Sequence, residues 1–311
     1  MFAAKLSSAF RTHSGKYKRE EIGNSTMKTI QYRLLAALIT IMIAGCGMAP
    51  RNDTARTAII GAFGDEVLLI EQRLENAKTD TVFGLEFRRG ILNGREVVVT
   101  RSGVGKVNAS MTTSILLHHF CPSEVIFTGI AGGLNPALLP GDIVIAEALA
   151  QHDLGDIFDR GFIAEGAPDP VNGGRNPVFI ASDSALVMLA LGAADSLALA
   201  GIAGSTERAP SVVKGKIVTG DVFVASDSVR KRLRDRFGAD AVEMEGAAVA
   251  QVCRQQRVPF VVIRSLSDNA DQSAASDLRR FYETAANNSA ELVCGLVSSM
   301  HKNRKITENS F

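Results

Sequence analysis

Two stretches decide the fold: Ala241-Val-Glu-Met-Glu-Gly-Ala-Ala-Val-Ala250 and, shortly after it, Val258-Pro-Phe-Val-Val-Ile-Arg-Ser-Leu-Ser-Asp268. The first reads as a short apolar strand that meets two carboxylates and runs into a helix of small residues. The second reads as another apolar strand that ends on an acid. Strand, helix, strand is the repeating unit of an α/β sheet, and in such sheets the side chains leaving the carboxyl ends of the strands line the ligand crevice. Glu243, Glu245 and Asp268 all lie at or just past such ends. Desolvating three carboxylates beside apolar strands is costly unless a ligand or a partner compensates them. Arg264, inside the second strand, belongs to a residue type that is seldom buried and idle.

Working outward, Thr57-Ala-Ile-Ile-Gly61 is a β-type run. It breaks at Gly61-Ala-Phe-Gly64 and enters a helix with Asp65 and Glu66 in its first turn, the end that favours acids. Phe83–Arg89, Glu96–Thr100, Glu124–Thr128, Asp142–Ala146 and Lys216–Thr219 read as further strands. Helices are expected from Val107 to about His119, from Ser182 to Leu199 behind an Asx/Ser cap, and from Asp227 to Phe237 behind Ser226. A last amphipathic helix should run from roughly Asp277 to Met300, leaving a polar, frayed tail over 301–311. The segment from Asp153 to Pro177 is rich in Gly and Pro without a period and is expected to form a flap over the site. The alternation implies one α/β domain over residues 58–300 with a largely parallel sheet.

Two glycine-rich turns stand out. Ser102-Gly-Val-Gly-Lys106 lacks the spacing of a phosphate-binding loop and the third glycine of a dinucleotide fingerprint, so it reads as a tight strand-to-helix turn. Gly129-Ile-Ala-Gly-Gly133 gives backbone freedom for close approach to a ligand.

The chain has 311 residues, 46% hydrophobic and 22% charged, with a formal net charge of +1. That is an ordinary globular composition, and its scattered basic residues give no reason to propose nucleic-acid binding. Residues 1–26 are polar. Met27-Lys28 opens a second start, and the apolar run Leu34–Gly45 is too short to span a bilayer but fits a signal-peptide core. It ends Ile43-Ala-Gly-Cys46, which resembles a bacterial lipobox; Cys46 would be lipidated, with 1–46 as leader and lipoprotein signal peptide, translation expected to start at Met27 rather than Met1, and 47–57 a linker. The expectation is an exported protein held to a bacterial membrane by lipid, or a cytoplasmic one if the leader is not processed. Cys121, Cys253 and Cys294 are widely spaced without a metal-binding or redox motif and read as small core residues.

Val242-Glu-Met-Glu-Gly-Ala247, Arg264-Ser-Leu-Ser-Asp-Asn-Ala-Asp271, Ile60-Gly-Ala-Phe-Gly-Asp-Glu-Val67, Thr128-Gly-Ile-Ala-Gly-Gly-Leu134 and Thr219-Gly-Asp-Val-Phe-Val224 occur in one order. Together they resemble the 5′-methylthioadenosine/S-adenosylhomocysteine nucleosidases of the purine nucleoside and uridine phosphorylase superfamily, from about Ala58 to about Ser298. The resemblance implies a three-layer αβα fold around a mixed, largely parallel sheet. It implies N-glycosidic hydrolysis of an adenine nucleoside by a homodimer without metal or organic cofactor. Asp268 matches the acid that protonates the purine, and Glu66 the base for the attacking water. Glu245 matches the carboxylate that grips the ribose hydroxyls, with Met244 beneath the sugar and Glu243 nearby. Phe223, with Val224 beside it, matches the aromatic that stacks on the base. Arg264 would order the water or a ribose oxygen. Each position also has a plainer structural reading: Asp268 as a helix cap, Glu66 as a first-turn acid, Phe223 as core.

One departure is Ile130, where many members carry Ser or Thr. Losing that hydroxyl weakens an anion site and favours water over phosphate as acceptor. Lys106 is the nearest basic candidate for phosphate. The remaining alternatives are a phosphate-dependent phosphorylase of this fold and a nucleoside-binding lipoprotein that does no chemistry.

Overall fold

The computed structural model describes residues 56–159, 161–202 and 208–308. The leader, Cys46 and most of the 47–57 linker lie outside them. Among the described residues no helix is long and apolar enough to cross a membrane.

The strands are β1 (Thr57–Gly61), β2 (Glu75–Val82), β3 (Leu85–Leu92), β4 (Arg95–Arg101), β5 (Glu124–Gly133), β6 (Ile143–Gln151), β7 (Gly155–Phe158), β8 (Gly161–Ala164), β9 (Ile180–Ala181), β10 (Val212–Thr219), β11 (Ala241–Glu243) and β12 (Phe260–Asp268). The helices are α1 (Gly64–Gln72), α2 (Lys106–Phe120), α3 (Ser184–Ala194), α4 (Asp227–Phe237), α5 (Gly246–Gln256) and α6 (Ala274–Glu308). The main sheet runs β11-β10-β6-β12-β5-β1-β4-β3-β2. β4, β1, β5 and β12 form one parallel block. β6, β10 and β11 form a second parallel block, joined antiparallel to the first through β6 and β12.

The sheet also curls. Ala241 and Val242 of β11 pair antiparallel with Gly133 and Gly132 at the far end of β5. This closure brings the carboxyl end of β11 to the same place as the carboxyl ends of β1, β5 and β12, although the two blocks run in opposite directions.

The apolar runs that predict strands are buried on both faces, as parallel sheets require. One face carries α2 and α5, whose Ala109, Leu116, Phe120, Ala248 and Cys253 pack with Phe127 and Val262. On the other face Val67 and Ile70 of α1, Leu186 and Val187 of α3, and Leu292, Val293 and Leu296 of α6 pack with Ile126 and Ile263. The result is the expected three-layer αβα arrangement.

Three expectations are corrected. Cys121 is exposed just past the end of α2, whereas Cys253 and Cys294 are buried. The segment after Asp153 is no flap over its own cleft: it forms the β7–β8 hairpin, whose Ile157 is 84% exposed, and it lines none of the cleft described below. The last helix does not end at Met300 either. α6 continues to Glu308, steadied where it passes the β3–β4 turn. Asn93 Nδ2 donates to the Cys294 carbonyl at 2.9 Å. A Cβ on Gly94 would fall 2.8 Å from His301 Nε2, so the turn and the helix touch closely.

Candidate active site

Glu66 is the third residue of α1. Its side chain turns back over the helix start, and Oε2 accepts from the N–H groups of Ala62 and Phe63 at 2.6 and 2.9 Å. Oε1 accepts from Ile130 N–H at 3.1 Å. The first-turn acid is thus also a buried carboxylate of the cleft described below, 1% exposed. Burial pushes its pKa up, opposed by Arg264 and by the three main-chain donors.

Asp268 ends β12. The register with β5 slips between Leu266 and Asp268, a bulge of the kind that re-aims a side chain at a strand end. Oδ2 accepts from Ser267 Oγ and Oδ1 from Ala270 N–H, each at 2.8 Å. It does not cap the next helix, which begins at Ala274. Desolvation raises its pKa above the carboxylate range, against the pull of those two donors.

Glu243, Glu245 and Arg264 form the floor. The Arg264 guanidinium is fully buried, 4.2 Å above the Phe127 ring. It donates to the Thr128 carbonyl at 2.6 Å and to Glu243 Oε2 at 2.5 Å, and lies 3.5 Å from Glu245 Oε2. Glu243 is saturated: Oε1 takes the Thr219 hydroxyl, and Oε2 also takes the N–H groups of Glu245 and Gly246 at 3.1 and 2.7 Å. Glu245 keeps more freedom. Its Oε1 accepts from Gly105 N–H at 2.7 Å, and burial followed by the neighbouring Glu243 raises its pKa to about 8.

Gly129 explains why this crowd fits. A Cβ there would stand 2.0 Å from Arg264 Nη1 and 2.4 Å from Glu66 Oε1, so only glycine lets β5 pass between the acid and the cation.

These groups open into one half-open cleft with a cavity volume of about 100 Å³. Glu66, Ile130, Phe223, Glu243, Met244, Glu245 and Asp268 line it. Phe223 is half exposed at its lip. The structure therefore brings together the acid from the end of β12 and the acid from the start of α1. Two predicted residues sit elsewhere. Arg264 lies beneath the cleft as the counter-ion of its carboxylates. Val224 is turned away, its side chain packed with Leu134, Ala150 and Val218. Phe63, Val104, Ser267 and Leu278 also line the cleft without having been assigned there. Phe63 and Ser267 lie inside the motifs quoted above and Val104 inside the Ser102–Lys106 turn, whereas Leu278 carries no signal that sets it apart from a core residue.

The profile of the phosphorylase superfamily matches residues 56–298. A 5′-methylthioadenosine/S-adenosylhomocysteine nucleosidase of Bacillus cereus is 42% identical over 246 residues, which is 79% of this chain and 99% of that protein. The chain belongs to the 5′-methylthioadenosine/S-adenosylhomocysteine nucleosidase family of the phosphorylase superfamily. Among solved members of the superfamily, the Neisseria meningitidis nucleosidase in complex with methylthio-immucillin-A aligns with a TM-score of 0.69 at 37% identity, covering 79% of this chain and 99% of that one. The futalosine hydrolase of Helicobacter pylori aligns with a TM-score of 0.67 at 32% identity, covering 78% and 97%. The nucleosidase family's fold thus accounts for the sheet and layers seen here.

Proposed function

We propose that this chain hydrolyses the N-glycosidic bond of adenine nucleosides, 5′-methylthioadenosine and S-adenosylhomocysteine foremost, releasing adenine and the ribose derivative. The observation that carries the reading is one cleft holding two buried acids in different settings. Burial raises the pKa of both; at Glu66 a guanidinium and three N–H donors oppose it, whereas at Asp268 the Ser267 hydroxyl and the Ala270 N–H do.

Cleavage passes through a ribosyl cation, so the base must leave neutral and water must arrive deprotonated. Asp268 gives its proton to the purine ring as the bond to C1′ breaks. Glu66 takes a proton from water as its oxygen bonds to C1′. Phe223 covers the base, an aromatic contact worth roughly 1 kcal/mol beyond burial. Glu245 accepts from the ribose hydroxyls, Met244 lies under the sugar, and Arg264 with Glu243 holds Glu245 in place.

Water rather than phosphate is the acceptor. Three basic groups near the cleft are matched to acids: Arg264 to Glu243 and Glu245, Lys106 to Asp153 and Asp221, Arg101 to Glu71. Ile130 offers an anion no hydroxyl, and its side chain joins the Ile202 and Phe281 cluster instead. Asp268→Asn and Glu66→Gln should each lower turnover by at least about a hundredfold with the fold retained. Adenine release followed by chromatography, with and without phosphate, checks this; strict phosphate dependence or wild-type turnover in both variants would overturn it.

We infer further that the protein works as a homodimer, since Phe63, Val104, Val107 and Met111 stay exposed around the cleft and the β7–β8 hairpin projects Ile157. The leader motif supports lipid attachment at Cys46 and export. Fatty-acid labelling that persists in Cys46→Ala would refute it.

A further inference from the structure

Next to the cleft is a cluster of charges with no part in the chemistry. Lys106, first residue of α2, donates from Nζ to Asp153 Oδ1 at 2.7 Å and lies 3.9 Å from Asp221 Oδ2. Its own N–H donates to Asp221 Oδ1 at 2.8 Å. Asp153 Oδ2 in turn accepts from Asp221 N–H at 2.9 Å. Three segments are thus tied at one point: the start of α2, the chain just past β6, and the loop after β10.

Each tied segment carries something the cleft needs. Gly105, immediately before Lys106, supplies the N–H that meets Glu245 Oε1. It sits at φ 92°, and a Cβ there would come 3.1 Å from Asp221 Oδ1, so the turn is pressed against the clamp. Asp221 stands two places before Phe223, which is itself half exposed and has little packing of its own. The base of the same loop is fixed from below, where His152 N–H donates to the Thr219 carbonyl at 2.8 Å and Gly220 N–H to the Glu243 carbonyl at 3.1 Å. Beyond the loop Ser226 N–H donates to the Ala270 carbonyl at 3.1 Å, and between these ties the 221–223 stretch is held, among the described residues, by the hydrogen bonds of Asp221.

We propose that Lys106, Asp153 and Asp221 are positioning residues, a charged clamp that sets Phe223 over the base and Gly105 N–H against Glu245. The proposal rests on the reading that the cleft takes an adenine nucleoside, and it concerns affinity rather than the bond-breaking step. Charge-assisted hydrogen bonds have the directional strength to hold such a loop, and Lys106, in neutralising two acids, keeps them from repelling each other across it.

The test uses the full chain with Lys106→Met and Asp221→Asn, Lys106→Arg as the conservative control, and Asp153→Asn as a milder variant should the others not fold. Lys106→Met and Asp221→Asn are expected to raise KM for 5′-methylthioadenosine and Kd for adenine about tenfold while kcat moves less than about threefold. Amide exchange in the 219–225 peptide should quicken, and Lys106→Arg should restore most of the affinity. Asp153→Asn should move all three readouts the same way by less. Unchanged KM and adenine affinity would overturn the proposal, even if Tm falls, because that is a structural tie alone. A fall in kcat at constant KM would overturn it too, placing Lys106 in the chemistry. If the wild-type protein releases no adenine, the nucleosidase reading fails, whereas the exchange rate of the 219–225 peptide still decides whether the clamp orders the loop.

Discussion

Glu66 and Asp268 are both pushed above the ordinary carboxylate range by burial, but they differ in what opposes it. If one must be ionised and the other protonated, kcat/KM rises with pH as Glu66 loses its proton and falls as Asp268 does. A bell is expected whose limbs both lie higher than free carboxylates would place them, read from the pH dependence of kcat/KM. The same shift bears on stability. A raised folded pKa gives stabilisation present below the unfolded value and lost as pH climbs through the folded one. Asp268→Asn escapes that loss. It should match or exceed the wild type in Tm at neutral pH, with its advantage fading towards pH 4, while losing activity. Thermal melts across pH check it, and a variant less stable at pH 7 than at pH 4, relative to wild type, contradicts it. Arg264 belongs to the same account, since three buried carboxylates depend on it, and removing one member of a buried ion pair is far costlier than never having built it.

The elements were legible where hydrophobicity had a period or a continuous run. β1, the start of α1, α4 and the core of β12 fall within a residue or so of their expected limits, because runs such as Val261-Val-Ile263 admit little else. β2 was missed: Glu75–Val82 is a mostly exposed edge strand, and its Glu-Asn-Ala-Lys-Thr-Asp carries no apolar alternation. α3 was drawn too long, since Leu197 and Leu199 still pack on the core after the helix has ended at Ala194. At the site the acids could be read, as charges set among apolar residues. Their donors could not, because the N–H groups of Ala62, Phe63, Gly105 and Ile130 have no letter of their own. Ser226 illustrates the same limit: it precedes α4 as expected, yet its hydroxyl makes no cap bond. The end of α6 lends itself to a direct check. Truncation after Met300 removes the His301 contact with the β3–β4 turn and should lower Tm by about 3 °C without touching KM. An unchanged melt would show that the last turns add nothing.

At the scale of the whole molecule, the curl that lays β11 on β5 decides where chemistry happens, since without it the two parallel blocks would deliver their acids to opposite edges. The apolar rim around that place is where the proposed second copy would dock. Val107 is 78% exposed on α2, and Val107→Asp should convert a dimer into a monomer in sedimentation velocity; a wild type that already sediments as a monomer rules the dimer out. The lip itself has one more use. The sequence contains no tryptophan, and Phe223 stands half in solvent where a base would lie flat against it. Phe223→Trp would make the sole indole emitter in the protein a sentinel at the entrance, dimming as adenine arrives and brightening as it departs, so occupancy could be followed in real time without a labelled ligand.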